Sequence, residues 1–330
     1  TGPLTGALFL RDGPAVYRPR HPERTTFYRL LDQHFDAYRH IHEELYEPRS
    51  GPLRPVVPRS VEAFLDCGRL HSGFARLRCP TCKGEHLLAF SCQTRNFCPS
   101  CQAKRSALFA EKLSEEIVAP VPHRHYVFTI PKALRGLFER ERRLLGLLSR
   151  CAYAAIKKSF RAVLGRQDVL PACVASLQTF GSYAANFHPH LHALVSEGAF
   201  DPKGEFLPLS TLDTDAICEL FRQLVLDALL RVGRLSEAFH ASLLTWLHSG
   251  FSVHAEQLLL PEETQRIEHI ARYLTRPPVR LDALQEFTTH QVTVSTAPDP
   301  RTGATSRTLD VLDWIHAITN QIPDRGQHLT

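Results

Sequence analysis

Two stretches of the 330-residue sequence gather side chains able to hold metal ions. The first contains six of the nine cysteines: Cys67, Cys79, Cys82, Cys92, Cys98 and Cys101. Cys79-Pro-Thr-Cys82 and Cys98-Pro-Ser-Cys101 are CxxC knuckles with fifteen residues between them, the spacing of a structural zinc site. Each knuckle turns two thiolates toward one ion, and two knuckles complete a tetrahedron. A disulfide framework is the competing reading; the chain length and the lack of a signal-peptide pattern weigh against it. Cys67, His71, His86 and Cys92 form a candidate second zinc site at irregular spacing. Cys151, Cys173 and Cys218 lie in apolar surroundings and read as small buried hydrophobes.

The second stretch is Asn186-Phe-His188-Pro-His190-Leu-His192-Ala-Leu-Val195. Alternate residues of a strand share a face, so His188, His190 and His192 point one way, and Leu191, Ala193 and Val195 point into a core. A lone histidine here would read as a core residue with satisfied hydrogen bonds. Three at period two favour a divalent ion.

These residues need elements to hold them. A helix is expected around Thr26–Glu44 and strands at His125–Ile130, Cys173–Phe180 and His190–Val195. One long helical run follows from the apolar spacing over Ala133–Leu164. Further helices are expected near 212–232, 235–248, Glu262–Thr275 and Leu309–Gln321, with strands at Gly250–Ala255 and Gln291–Ser295. Helices and strands mix without regular alternation, which favours an α+β fold. The expected division is a helical segment over 1–60, a zinc-binding domain over 61–118 and an α+β domain over 119–330.

Hydrophobic residues make up 43% of the chain and charged residues 22%, which excludes a disordered chain, a collagen and a coiled-coil rod. No apolar run is long enough to span a bilayer, so no membrane partner is expected, and the protein should be soluble and cytoplasmic. The net charge of +5 is unevenly placed. Residues 67–105 carry seven basic and one acidic side chain, and residues 120–166 carry eleven and two. That distribution suggests a polyanion-binding surface. The absence of methionine, with Thr1 first, suggests a trimmed sequence and a C-terminally truncated catalytic domain.

His190-Leu-His192 is the motif from which the HUH endonucleases take their name. Ser91-Cys-Gln-Thr-Arg-Asn-Phe-Cys-Pro-Ser-Cys101 resembles the N-terminal zinc-binding domain of rolling-circle insertion-sequence transposases. Tyr126–Pro131, His188–His192, Trp246–Val253 and Ala271–Pro278 are similar to successive blocks of that family, in its order, over about residues 60–325. The resemblance implies an HUH-type antiparallel sheet packed by helices behind a zinc-binding domain, acting at the nucleoid. Single-stranded DNA at transposon ends is the implied partner, and Mg2+ or Mn2+ the implied catalytic ion, beside structural zinc.

The resemblance also implies a tyrosine nucleophile, for which Tyr273 is the candidate. Over Glu262–Thr275, Ile267, Ile270, Ala271 and Leu274 form the buried stripe, and Tyr273 lies on a flank with Arg266 and His269. Such a tyrosine could attack a phosphodiester and leave a 5′-phosphotyrosine. His190 and His192 would hold the ion, with His188 or His269 as third ligand. Many family members carry two tyrosines one turn apart. His269 occupies the earlier position here, which favours a single-tyrosine scheme. Tyr183 is the substitute nucleophile. Arg95, Lys104, Arg105, Arg124, Arg266 and Arg276 are the expected DNA contacts, with arginines of 124–166 tracking the backbone. Two other readings stay open: a DNA-binding zinc protein with an inactive nuclease site, and a three-histidine metallohydrolase that uses water.

Overall fold

The computed structural model describes residues 21–181, 186–211, 213–246, 248–299 and 302–330. Helices α1 (Thr26–Leu45), α2 (Glu47–Ser50) and α3 (Val56–Asp66) lead into a hairpin of β1 (Phe74–Arg78) and β2 (Glu85–Ala89). After α4 (Pro99–Lys112) come β3 (His123–Thr129), α5 (Lys132–Arg140), α6 (Leu145–Leu164), β4 (Cys173–Phe180) and β5 (Phe187–Ser196). A small hairpin, β6 (Gly198–Phe200) and β7 (Phe206–Pro208), precedes α7 (Thr214–Arg231), α8 (Glu237–Thr245), β8 (Ser252–Leu259) and α9 (Thr264–Leu274). The last described elements are β9 (Leu284–Phe287), β10 (Gln291–Ser295), β11 (Ser306–Asp310) and α10 (Val311–Thr319). The class is α+β, as expected.

Local chemistry sets many of these boundaries. The Thr25 side chain accepts from Tyr28 N, Asp213 from Ala216 N, and Asp310 from Leu312 N and Asp313 N; each oxygen satisfies amides that a helix start leaves open. Gly165, at φ +64°, closes α6 in a left-handed conformation. The long run expected over Ala133–Leu164 is broken between α5 and α6. Arg142 turns inward there, is 5% exposed, and its Nη1 donates to Asn320 O at 2.8 Å. Burying a guanidinium demands such a partner, and the backbone leaves the helical path to supply it.

The central sheet is antiparallel, in the order β4-β5-β3-β8. Its period-two alternation separates two faces. Tyr126, Phe128, Leu177, Leu191, Ala193 and Val195 pack on α5, α6 and α7 in the largest core. The opposite face carries the histidines and, farther along, Val174, Leu194 and Leu259, which pack with α4 and α9. A separate core joins α1 and α3 to Val292, Val294, Trp314 and Ile315 near the other end of the sequence. Packing therefore brings α1 and α3 against residues 279–322, far along the sequence.

Candidate active site and metal centre

Cysteines from three segments meet at one point. Cys67 follows α3, Cys92 follows β2, and Cys98 and Cys101 start α4. Sγ of Cys67 lies 3.8 Å from those of Cys98 and Cys101, and the Cys92 and Cys101 sulfurs are 3.7 Å apart. A zinc tetrahedron with bonds of about 2.3 Å has edges of about 3.8 Å, so this set fits the ion. The Cys67 thiol is pushed far down by hydrogen bonds from Cys101, Cys92 and Cys98, while those of Cys92 and Cys98 are pushed up. Four thiols this close compete for shared protons, and a dication resolves the competition.

The sequence partition of the cysteines is therefore redrawn. Cys98 and Cys101 gather with Cys67 and Cys92, not with Cys79 and Cys82. Cys79 and Cys82 sit at the β1–β2 turn, where Cys79 N donates to Gly84 O. His71 and His86 are exposed, on a short turn and on β2, and do not join Cys67 and Cys92. Knuckle similarity suggested one pairing; the end of α3 delivers Cys67 and makes another.

On the sheet, His188, His190 and His192 form a row along β5, with ring centroids 5.1 and 4.8 Å apart. Their nitrogens are not gathered round a point as the sulfurs are: among the described residues, the four thiols are the close group. His190 Nδ1 lies 2.7 Å from His188 O, which can only accept, so the Nε2 lone pair of His190 is open. His188 Nε2 and His192 Nε2 are buried and have no hydrogen-bond partner. Burial pushes His188 and His190 down to about 4 and His192 to about 2, so all three are neutral at pH 7. Neutral rings with unpartnered nitrogens fit a divalent ion.

Tyr273 lies against this row. Its ring meets His192 edge-on at 5.0 Å and His125 at 6.3 Å. Arg276 covers the ring with its guanidinium 4.3 Å from the centroid, and its Nε donates to Gln178 Oε1 at 3.1 Å. The end of α9 is held by side chains from two directions. Ser106 Oγ of α4 donates to Arg272 O at 3.1 Å and Gln102 Nε2 to Thr275 O at 2.8 Å. From β4, Gln178 Nε2 donates to Tyr273 O at 2.8 Å and Ser176 Oγ to Leu274 O at 2.6 Å. The carbonyls a helix end leaves open thus fix the turn that carries Tyr273. His269 is exposed one turn earlier.

The expected DNA contacts divide. Arg95, Arg105 and Arg276 line one cavity of about 370 Å³ between α4 and β4, together with Gln178 and Phe180. Lys104 is exposed on α4 beside Arg105. Arg95 is already engaged, with Nη1 donating to Gln327 O at 2.7 Å. Arg124 pairs with Glu197 at 2.6 Å, and its Nη1 donates to Glu256 O at 2.7 Å, so it works as a structural brace. Arg266 pairs with Glu263, the residue that precedes the same helix. The basic helix α6 lies across the sheet from the histidines, which removes Arg150 and Arg161 from the site. Arg135 of α5 differs: its charge acts on His188 and His190, and its Nε is buried without a partner. Tyr183 lies outside the described residues.

Residues 31–130 match a family described as "Transposase zinc-binding domain", and residues 173–330 match one described as "Putative transposase". The chain belongs to the insertion-sequence transposases with an N-terminal zinc-binding domain. It is 27% identical, over 98% of its length and 77% of the relative's, to the transposase for insertion sequence element IS801 of Pseudomonas savastanoi pv. phaseolicola. Over 56% of this chain and 47% of the relative, it is 29% identical to "Putative transposase y4qJ" of Sinorhizobium fredii. No solved structure matches the chain. No helix among the described residues of this transposase is long and apolar enough to cross a membrane.

His125, Glu256 and Gln178 were missed from the sequence, and Arg135 entered only as one of the 124–166 arginines. Alternation along His125–Ile130 could have placed His125 on a face, but its meeting with His192 depends on the β3–β5 register, which pairs Val127 with His192.

Proposed function

We propose that this transposase nicks and joins single-stranded DNA at transposon ends by HUH chemistry, with Tyr273 as nucleophile. The observation that carries the reading is the Tyr273 ring against His192, under Arg276 and beside open imidazole nitrogens. His190 and His192 would hold Mg2+ or Mn2+, with His188 as third ligand in preference to the exposed His269. Such an ion polarises a non-bridging phosphate oxygen when bound.

The tyrosine oxygen forms a bond to phosphorus as the bond to the 3′-oxygen breaks. The phenol loses one proton and the departing 3′-hydroxyl gains one. A 5′-phosphotyrosine conserves the ester for later strand joining, so no nucleotide cofactor is needed. Arg276 and Arg135 supply positive charge beside the attacked phosphate, and the cavity lined by Arg105 carries the strand away. Lys104 and Arg105 make α4 the DNA-recognition helix of the zinc-binding part.

The test is incubation with end-labelled single-stranded DNA and Mn2+, followed by denaturing electrophoresis. Wild type should form a covalent adduct, Tyr273→Phe should form none, and Tyr183→Phe should behave as wild type. Adduct formation by Tyr273→Phe would reassign the nucleophile. Cleavage without an adduct would favour water as nucleophile, and binding without cleavage an inactive nuclease.

A further inference from the structure

We propose that His125 and Glu256 form a positioning relay behind His192, fixing that ring in the tautomer that leaves Nε2 an open lone pair. His125 Nε2 lies 3.1 Å from His192 Nδ1, with the rings stacked at 5.2 Å. Two imidazole nitrogens this close share one hydrogen. Its owner is decided on the far side of His125, where Nδ1 lies 3.1 Å from Glu256 Oε2. That approach is electrostatic, without the alignment of a full hydrogen bond.

A carboxylate can only accept, so it favours the hydrogen on His125 Nδ1. A His125 ring with its hydrogen at Nδ1 presents a lone pair at Nε2, and the hydrogen between the rings then belongs to His192 Nδ1. His192 Nε2 is left bare, which agrees with its being buried and partnerless. His190 reaches the same state through the carbonyl of His188; His192 uses a side chain for the purpose.

The placement of Glu256 is built into the sheet. The β3–β8 register shifts between Arg124 and Tyr126, opposite His125, and bulges re-aim side chains at such points. Arg124, anchored by Glu197, clamps Glu256 O at 2.7 Å. The tautomer stands without any ion; its use in ligation rests on the function proposed above.

The experiment uses the full chain with its structural zinc, ¹⁵N-labelled at histidine, with His192→Ala to assign the ring signals. Long-range ¹H–¹⁵N spectra should show His192 protonated at Nδ1 in wild type and in His125→Gln, whose carboxamide oxygen still accepts. In His125→Ala the hydrogen should move to Nε2. Mn2+ affinity read by electron paramagnetic resonance should fall about 10–100-fold in His125→Ala and far less in His125→Gln. Protonation of wild-type His192 at Nε2, or equal loss of affinity in the Gln and Ala variants, would overturn the relay. The expected tautomer together with Mn2+ affinity indifferent to His192→Ala would support the relay and overturn the metal reading instead.

Discussion

The four-thiol cluster and the histidine row are built on opposite plans. The thiols come from three separate segments and converge until their sulfurs span a zinc tetrahedron. The imidazoles come from one strand, stand in line, and keep nitrogens without partners. A site that closes a fold must draw distant chain together and leave no open position. A site that handles a substrate must be held by a fold that already exists and must keep ligand positions open. By this contrast, loss of the first should cost structure and loss of the second should cost chemistry.

The largest effect is expected at the thiols. Cys67→Ser should lose zinc and expose residues 60–105 to protease, because zinc binding and folding are one process in such sites. Cys79→Ser should retain zinc and protection. Zinc content and limited proteolysis of the two variants decide between the observed grouping and the one suggested by knuckle spacing; zinc loss in Cys79→Ser alone would restore the latter.

At the row, His190→Ala should abolish adduct formation, a loss of at least about 100-fold if ion binding carries the step. Single-stranded DNA binding should hardly change, since affinity comes from basic side chains. A variant that nicks at the wild-type rate would remove His190 from the mechanism.

Acid should separate the two regions further. In the folded protein without added divalent ion, burial holds His190 at about 4, below its ordinary value near 6.5. The unfolded chain therefore binds more protons between those values, and stability falls as the pH drops through them. The contribution is complete above about pH 6.5, amounts to about 3 kcal/mol for a shift of this size, and is lost by about pH 4. Urea unfolding at pH 7.5 and pH 5 should show the loss in wild type and a smaller one in His190→Ala. Equal pH dependence in both would refute burial of a neutral ring.

What the sequence disclosed follows the range of the interactions involved. Strand Cys173–Phe180 and the face shared by His188, His190 and His192 rest on local periodicity, and the structure places them so. Tyr273 could be set off the buried stripe for the same reason. The partners of Cys98 and Cys101 could not be read, because the identity of a fourth ligand depends on where α3 ends in space. His125 and Glu256 stayed hidden for a similar cause: strand register and a bulge join them. Arg124 and Arg95 looked like free cations because composition counts charges and not the carboxylates or carbonyls that occupy them.

The smallest predicted effect lies where the two regions touch. Helix α4 begins at the thiol cluster, and its Ser106 and Gln102 hold the carbonyls of Arg272 and Thr275, one residue before and two after Tyr273. If this contact transmits the order of the zinc site to the nucleophile, Gln102→Leu at a buried position should leave half-buried Thr275 O and buried Asn96 N without their Gln102 partner. The cost should be about 1–3 kcal/mol, with zinc content unchanged. Tyr273 would still be tied by Gln178 from β4, so adduct formation should slow only modestly. Adding Gln178→Leu removes the second tie, and the double variant should lose more activity than the two single losses combined, because the ties restrain one turn of helix. Simple additivity in adduct rate would show that the zinc-bearing helix and the sheet hold α9 independently, and that the thiol cluster acts on its own part of the fold alone.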